Sequence, residues 1–195
     1  MKFLILGGTQ MLGRRFVEIL KEEYKDITLA NRNRTNSFLF SDLKKIKIDR
    51  NIPKTCLALK KESYDITIDF SCYNVDQFEN TFKNLNTKKY IYISTMGVLN
   101  LNKKNEYYDY SKNKLAVEEY IRKNSIKGLI VRPCAVYGDN DYTNRFYKKD
   151  NIFFWKNTSE KVGEGCISVD FFATSLKKHL FSSYHEDNIQ TINII

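Results

Sequence analysis

Two sets of residues in this chain have types and spacings that suit chemistry. The first, Gly7-Gly8-Thr9-Gln10-Met11-Leu12-Gly13, follows four apolar residues and leads into an apolar stripe at helical spacing. Glycines there permit positive φ, and they let a diphosphate approach backbone N–H groups at a helix N-terminus. Gly13 would let helix and strand approach closely. The second set is Tyr108-Asp109-Tyr110-Ser111-Lys112-Asn113-Lys114, where Tyr108 precedes Lys112, and Tyr110 precedes Lys114, by four residues. Such a pair shares one helix face. A neighbouring ammonium favours phenolate, so the tyrosine can donate or accept a proton near neutrality. Ser94-Thr95 ends an apolar run, and a hydroxyl there would hold a substrate oxygen while hydride moves. Spacing alone leaves both Tyr–Lys pairs open.

These groups need elements that bring them to one place. Short apolar strands are expected at 3–6, 27–30, 46–48, 64–70, 90–94 and 129–131, with a last one at 189–195. Helical stripes fall between them: Leu12, Phe16, Ile19 and Leu20; a segment over 53–62; Val75, Phe78, Phe82 and Leu85; 113–122; and Phe171, Phe172, Leu176 and Leu180. Strands separated by helices require crossover connections, so the pattern predicts an α/β fold, a Rossmann-like doubly wound parallel sheet covered on both faces. Ligands in such sheets lie at the carboxyl ends of the strands, where Gly7, Asn31 and Thr95 fall. The division expected is a dinucleotide-binding domain over 1–140 and a shortened C-terminal extension over 141–195 packed on it. Phe146, Tyr147, Phe153, Phe154 and Trp155 read as a small core or a homodimer contact rather than a substrate lid.

In a dinucleotide site, the end of the second strand lies beside the adenosine ribose. An acid there bonds the 2′-hydroxyl, whereas a guanidinium suits a 2′-phosphate. Residues 30–36 contain no acid but do contain Asn31, Arg32 and Arg34, which favours NADP over NAD, with Arg32 in contact and Arg34 facing solvent. Asp49 and Arg50 close the third strand, flanking the adenine or forming an exposed turn. Ser71, after the fourth strand, joins the candidate cofactor set. Asp65 and Asp69 read as end-of-strand solvation.

Composition narrows the classes further. The 195 residues are 42% apolar and 28% charged, enough for a sizeable core. No run approaches 18 apolar residues and no signal peptide is visible, so the expectation is a soluble, cytoplasmic protein with no membrane partner. Cys56, Cys72, Cys134 and Cys166 are widely spaced and read as reduced buried thiols; His179 and His185 lack ligands at metal spacing, so no metal is expected. The net charge of +9 is spread over short lysine runs such as Lys44-Lys45 and Lys60-Lys61. Specific nucleic-acid binding is therefore not expected.

Taken together, Gly7–Gly13, Ser94-Thr95, the Tyr/Lys helix and Arg132-Pro133-Cys134-Ala135-Val136-Tyr137-Gly138 resemble the extended short-chain dehydrogenase/reductase family, NAD(P)-dependent epimerase/dehydratase type. The likeness covers about 1–145 and, loosely, 168–195. The family motif continues from its Lys into a Glu four residues on, which only Lys114-Leu115-Ala116-Val117-Glu118 matches. The resemblance thus implies Tyr110 as acid/base, Lys114 as its partner on the nicotinamide ribose, Thr95 as the orienting hydroxyl and Pro133 beside the nicotinamide. It implies a sugar or nucleotide-sugar substrate. Residues 27–32 and 138–146 resemble a subgroup of bacterial epimerase-like and chloroplast RNA-associated proteins, which carries the alternative of a regulatory or RNA-associated NAD(P)-binding protein with little catalysis. Gln10 replaces the usual middle glycine, and the part after Asp141 is short for a family whose members commonly reach about 300 residues.

Overall fold

The computed structural model describes residues 1–102, 104–181 and 189–195. The chain opens with β1 (Phe3–Leu6), α1 (Met11–Leu20), β2 (Ile27–Asn31), β3 (Lys44–Lys47), a 3-10 segment (Pro53–Lys61) and β4 (Ser63–Asp69). It continues with α2 (Val75–Phe82), β5 (Asn86–Ile93), a 3-10 turn (Met96–Asn100), α3 (Tyr108–Lys123), β6 (Gly128–Pro133) and β7 (Ala135–Tyr137). Then come β8 (Phe146–Lys149), β9 (Ile152–Trp155), β10 (Cys166–Ser168), α4 (Val169–Phe181) and β11 (Gln190–Ile194).

Seven strands form one sheet in the order β11-β6-β5-β4-β1-β2-β3, and every neighbouring pair is parallel. This is the Rossmann-like doubly wound α/β fold. Strand order reverses between β1 and β4, so a crevice opens beyond their carboxyl ends. On one face, Phe16 of α1 and Phe172 and Leu176 of α4 cover Phe3, Ile5 and Ile68. Phe78 of α2 and Val117 and Ile121 of α3 cover Tyr90, Tyr92 and Ile130 on the other. Phe16 and Phe172 are fully buried, each contributing roughly 1.5–3 kcal/mol.

α3 is bolted to the sheet by one acid. Glu118 is fully buried and accepts hydrogen bonds from Ser94 Oγ at 2.5 Å and Arg132 Nε at 2.9 Å, with Arg122 adding bonds at 3.1 and 3.2 Å. Burial opposes its charge, but Arg132 and Ser94 outweigh that and hold its pKa below the usual carboxylate range.

Several local expectations change. Residues Pro53–Lys61 are 3-10 rather than α-helical. α3 begins at Tyr108, five residues before the expected 113, which places Asp109 in its first turn where the helix dipole favours an acid. The stretch after Gly138 contains an antiparallel hairpin, β8–β9, turned by Asp150 and Asn151 at φ 49° and 62°; two positive φ values make a mirror-image turn that suits strand twist. Its Phe146 and Trp155 rings lie 4.5 Å apart, and Phe153 lies 5.1 Å from Tyr137 of β7. β7 itself pairs in parallel with β10. Cys56 and Cys72 are buried, but Cys134 and Cys166 are only half-buried; all four are free thiols.

Candidate functional site

A cleft of about 670 Å³ runs across the carboxyl ends of the parallel strands, from Arg32 and Asp49 at one end to Tyr142 and Arg145 at the other. Gly7, Thr9, Gln10, Met11, Leu12 and Gly13 line its middle. Gly7 has φ +84°, and a Cβ on Gly13 would stand 2.2 Å from the Gly7 carbonyl oxygen, so only glycine allows α1 to start this close to β1. Gln10 sits at the helix N-cap in an extended conformation, and its side chain caps nothing. No acid occupies the first turn. The first N–H groups of α1 therefore lack a side-chain cap and favour an anion.

Toward the β3 end, Asn31, Arg32, Arg34, Asp49 and Arg50 all line the cleft. Arg32 is exposed; Arg34 also lines the cleft, with its guanidinium 3.9 Å from Asp49. Arg50 is only 7% exposed, so the exposed-turn option does not hold. Its Nη2 stands 2.8 Å from Asp69 Oδ1 as an ion pair without hydrogen-bond alignment, and its Nη1 has no acceptor. Burial disfavours the guanidinium charge, yet Asp69 more than restores it and raises the Arg50 pKa.

Asp69 corrects an expectation. It is completely buried rather than a solvated strand end, and it accepts from the Tyr90 hydroxyl and from Ser71 N–H at 3.0 Å. That second bond fixes the loop after β4 against the glycine turn, where a Cβ on Gly7 would lie 2.7 Å from Ser71 Cβ. Asp65 does face solvent and pairs with Lys88 at 2.7 Å.

Thr95, Tyr110 and Lys114 line the same cleft, as does Pro133. Thr95 caps the 3-10 turn, accepting from Gly97 N–H at 3.2 Å. Lys114 is 2% exposed and donates to the Ile93 carbonyl at 2.7 Å; the Tyr92, Tyr73 and Tyr110 ring centres lie 4.8, 5.5 and 5.7 Å from its Nζ. No carboxylate among the described residues forms an ion pair with it. Burial lowers its pKa from 10.5 to about 8. Tyr108 and Lys112 do not line the cleft.

Packing around Tyr110, and Tyr73 beside it, push its hydroxyl up to about 12, with Arg145 pulling the other way. Tyr110 is therefore a neutral phenol near pH 7, although it is exposed and lines the cleft. The aromatic hairpin residues do not line the cleft; Tyr142, Thr143 and Arg145, just before it, do. Sequence reasoning also missed Tyr73 and Tyr107 on its wall. Tyr73 follows β4 on the ligand-binding edge of the sheet, which was the available signal. His185 lies outside the described residues, and no described helix is long and apolar enough to cross a membrane.

A crevice at a strand-order reversal, beside a glycine turn and an uncapped helix, is where doubly wound α/β folds bind ligands. No family model matches the sequence, and no curated protein matches it. Solved structures share the fold. ChuY, an anaerobillin reductase of Escherichia coli O157:H7, is similar at 14% identity and TM-score 0.73, over 100% of this chain and 97% of that one. A short-chain dehydrogenase/reductase of Veillonella parvula, solved with NADP, is similar at 12% identity and TM-score 0.68, covering 98% and 93%. UDP-glucose 4-epimerase of Thermotoga maritima, solved with UDP-glucose, is similar at 14% identity and TM-score 0.71, covering 100% of this chain but 76% of that one. The first two chains are nearly matched in full, so the short part after Asp141 is a size that this fold adopts elsewhere.

Proposed function

We propose that this chain is an NAD(P)-dependent reductase of a carbonyl substrate. The observation that carries the reading is one cleft holding both the uncapped α1 N-terminus and a buried lysine, held by a backbone carbonyl alone, beside a neutral tyrosine. A dinucleotide fits the residues present: α1 N–H groups suit its diphosphate, Arg32 suits a 2′-phosphate, and Asp49 and Arg50 line the same end of the cleft. Asn31, Thr9 and Ser71 complete that half, with Pro133 and Lys114 toward the nicotinamide. The bound cofactor supplies hydride. Thr95 orients the carbonyl oxygen, and Tyr110 gives that oxygen its hydroxyl proton as the carbonyl carbon receives hydride. The hydroxyl carries its proton at neutral pH, as a donor to the carbonyl oxygen must. Lys114, with its Nζ 5.7 Å from the Tyr110 ring centre, would favour the new phenolate by its charge, so a cation that burial makes costly becomes useful during the proton transfer.

A second reading, epimerase or dehydratase chemistry on a sugar or nucleotide-sugar, draws on the resemblance of the Tyr110–Glu118 register and on the UDP-glucose of the Thermotoga structure. The test follows reduced-nicotinamide absorbance with simple carbonyls and nucleotide-sugars. Tyr110→Phe should lower turnover by roughly 10²–10⁴-fold with cofactor affinity kept, and Tyr108→Phe should cost little. Full turnover in Tyr110→Phe would remove the mechanism and leave a cofactor-binding protein without this chemistry.

A further inference from the structure

The end of the cleft beyond Lys114 is built unlike the rest. Four tyrosines are exposed among the described residues, Tyr73, Tyr107, Tyr110 and Tyr142, at 38–57%, and all four line this cleft. Tyr73 and Tyr110 have ring centres 6.1 Å apart at 56°, and the Tyr142 side chain hydrogen-bonds that of Tyr73. Large exposed aromatics gathered at one place mark a surface for a flat apolar partner.

One fixed cation stands among them. The Arg145 guanidinium lies 5.3 Å from the Phe146 ring centre, donates from Nε to Thr143 Oγ at 2.8 Å and reaches the Val136 carbonyl at 3.4 Å from Nη2. No carboxylate forms an ion pair with it among the described residues; the nearby Asp141 takes its hydrogen bonds from Thr143. Guanidinium has five N–H donors, so most remain for a ligand in the cleft. Its charge is felt at the Tyr110 hydroxyl. The cofactor does not call for it, because Arg32 and α1 suit the phosphates at the far end. Asp141, beside Arg145, does not line the cleft, and the Gln77 amide is spent on Tyr73 N–H and Asn51.

We propose that the substrate is a flat, unsaturated carbonyl compound bearing a carboxylate, its ring set among Tyr73, Tyr107 and Tyr142 and its carboxylate on Arg145. Its carbonyl rests on the reductase reading; the ring and carboxylate sites do not.

The test measures binding, so it needs no turnover. 2-Naphthoate and its neutral isostere 2-naphthamide are titrated calorimetrically into the full chain, with and without NADP. Naphthoate should bind at least ten-fold tighter than naphthamide, and Arg145→Gln should erase that difference while leaving naphthamide and NADP affinities unchanged. Tyr142→Ala should weaken both compounds alike. Equal affinity of the two compounds on the unaltered chain would overturn the proposal, whatever the variants do. So would a naphthoate affinity indifferent to Arg145→Gln, or displacement of naphthoate by UDP-glucose binding more tightly. Arg145-dependent naphthoate binding in a chain that reduces no carbonyl would instead overturn the reductase reading alone.

Discussion

Replacing Lys114 by Met should make the cofactor-free protein more stable while removing its function. Lys114 is buried with a single protein acceptor, the Ile93 carbonyl, and burial lowers its pKa from 10.5 to about 8. A shift of that size corresponds to about 3 kcal/mol of penalty on the charged form. Below pH 8 the folded and unfolded chains both hold the proton, so the full penalty acts. Between pH 8 and 10.5 the folded chain has released it while the unfolded chain retains it, and the penalty fades. Methionine fills similar volume without charge but leaves Ile93 without its donor, costing about 1 kcal/mol. The net gain near pH 6.5 is then about 2 kcal/mol, or roughly 4–8 °C in Tm for a chain of this length. Thermal unfolding of both proteins at pH 6.5 and pH 10 is the assay. The variant should melt higher at pH 6.5, with the advantage gone at pH 10, and bind NADP more weakly. A variant that melts lower by the same margin at both pH values would show that the lysine is an ordinary, satisfied core group.

Gly13→Ala would place a methyl 2.2 Å from the Gly7 carbonyl oxygen; the urea midpoint should drop by the equivalent of about 1–3 kcal/mol, with NADP affinity falling too. Glu118→Gln should cost about 3–5 kcal/mol by urea unfolding at pH 7, because Arg132 is left half-paired beneath α3. The folded pKa of Glu118 is depressed, so its stabilisation is present above the ordinary glutamate range and lost as pH falls through the folded value. Glu118→Gln should therefore also flatten the acid limb of stability against pH.

The sheet was legible because its signals are local and repeated. Phe3–Leu6, Ile27–Asn31 and Ile91–Ile93 are short apolar runs, and helical stripes between them force crossovers. Asp69 was misread because a strand-end acid looks the same in sequence whether it meets water or Arg50; only the tertiary approach of the segment after β3 to the end of β4 decides. The protonation of Tyr110 was not legible for a related reason. Spacing puts Tyr110 and Lys114 on one face, but the balance between charge attraction and desolvation depends on what surrounds them. The β8–β9 hairpin escaped because Asp150-Asn151 is a weaker turn signal than Asn-Gly. Tyr142 and Arg145 stood in a stretch without periodicity, where nothing local says which side chains turn toward a cleft built by β4 and α3.

Calorimetric titration of NADP and NAD into the unaltered chain and into Arg32→Ala tests the central claim, a dinucleotide in this cleft, most directly. One saturable site per chain is predicted, with NADP at least matching NAD. Arg32→Ala should weaken NADP by about ten-fold or more and leave NAD unchanged, since it removes a charge-assisted contact to the 2′-phosphate alone. Equal losses for both cofactors would contradict the role of Arg32, and no saturable binding of either would contradict the site itself.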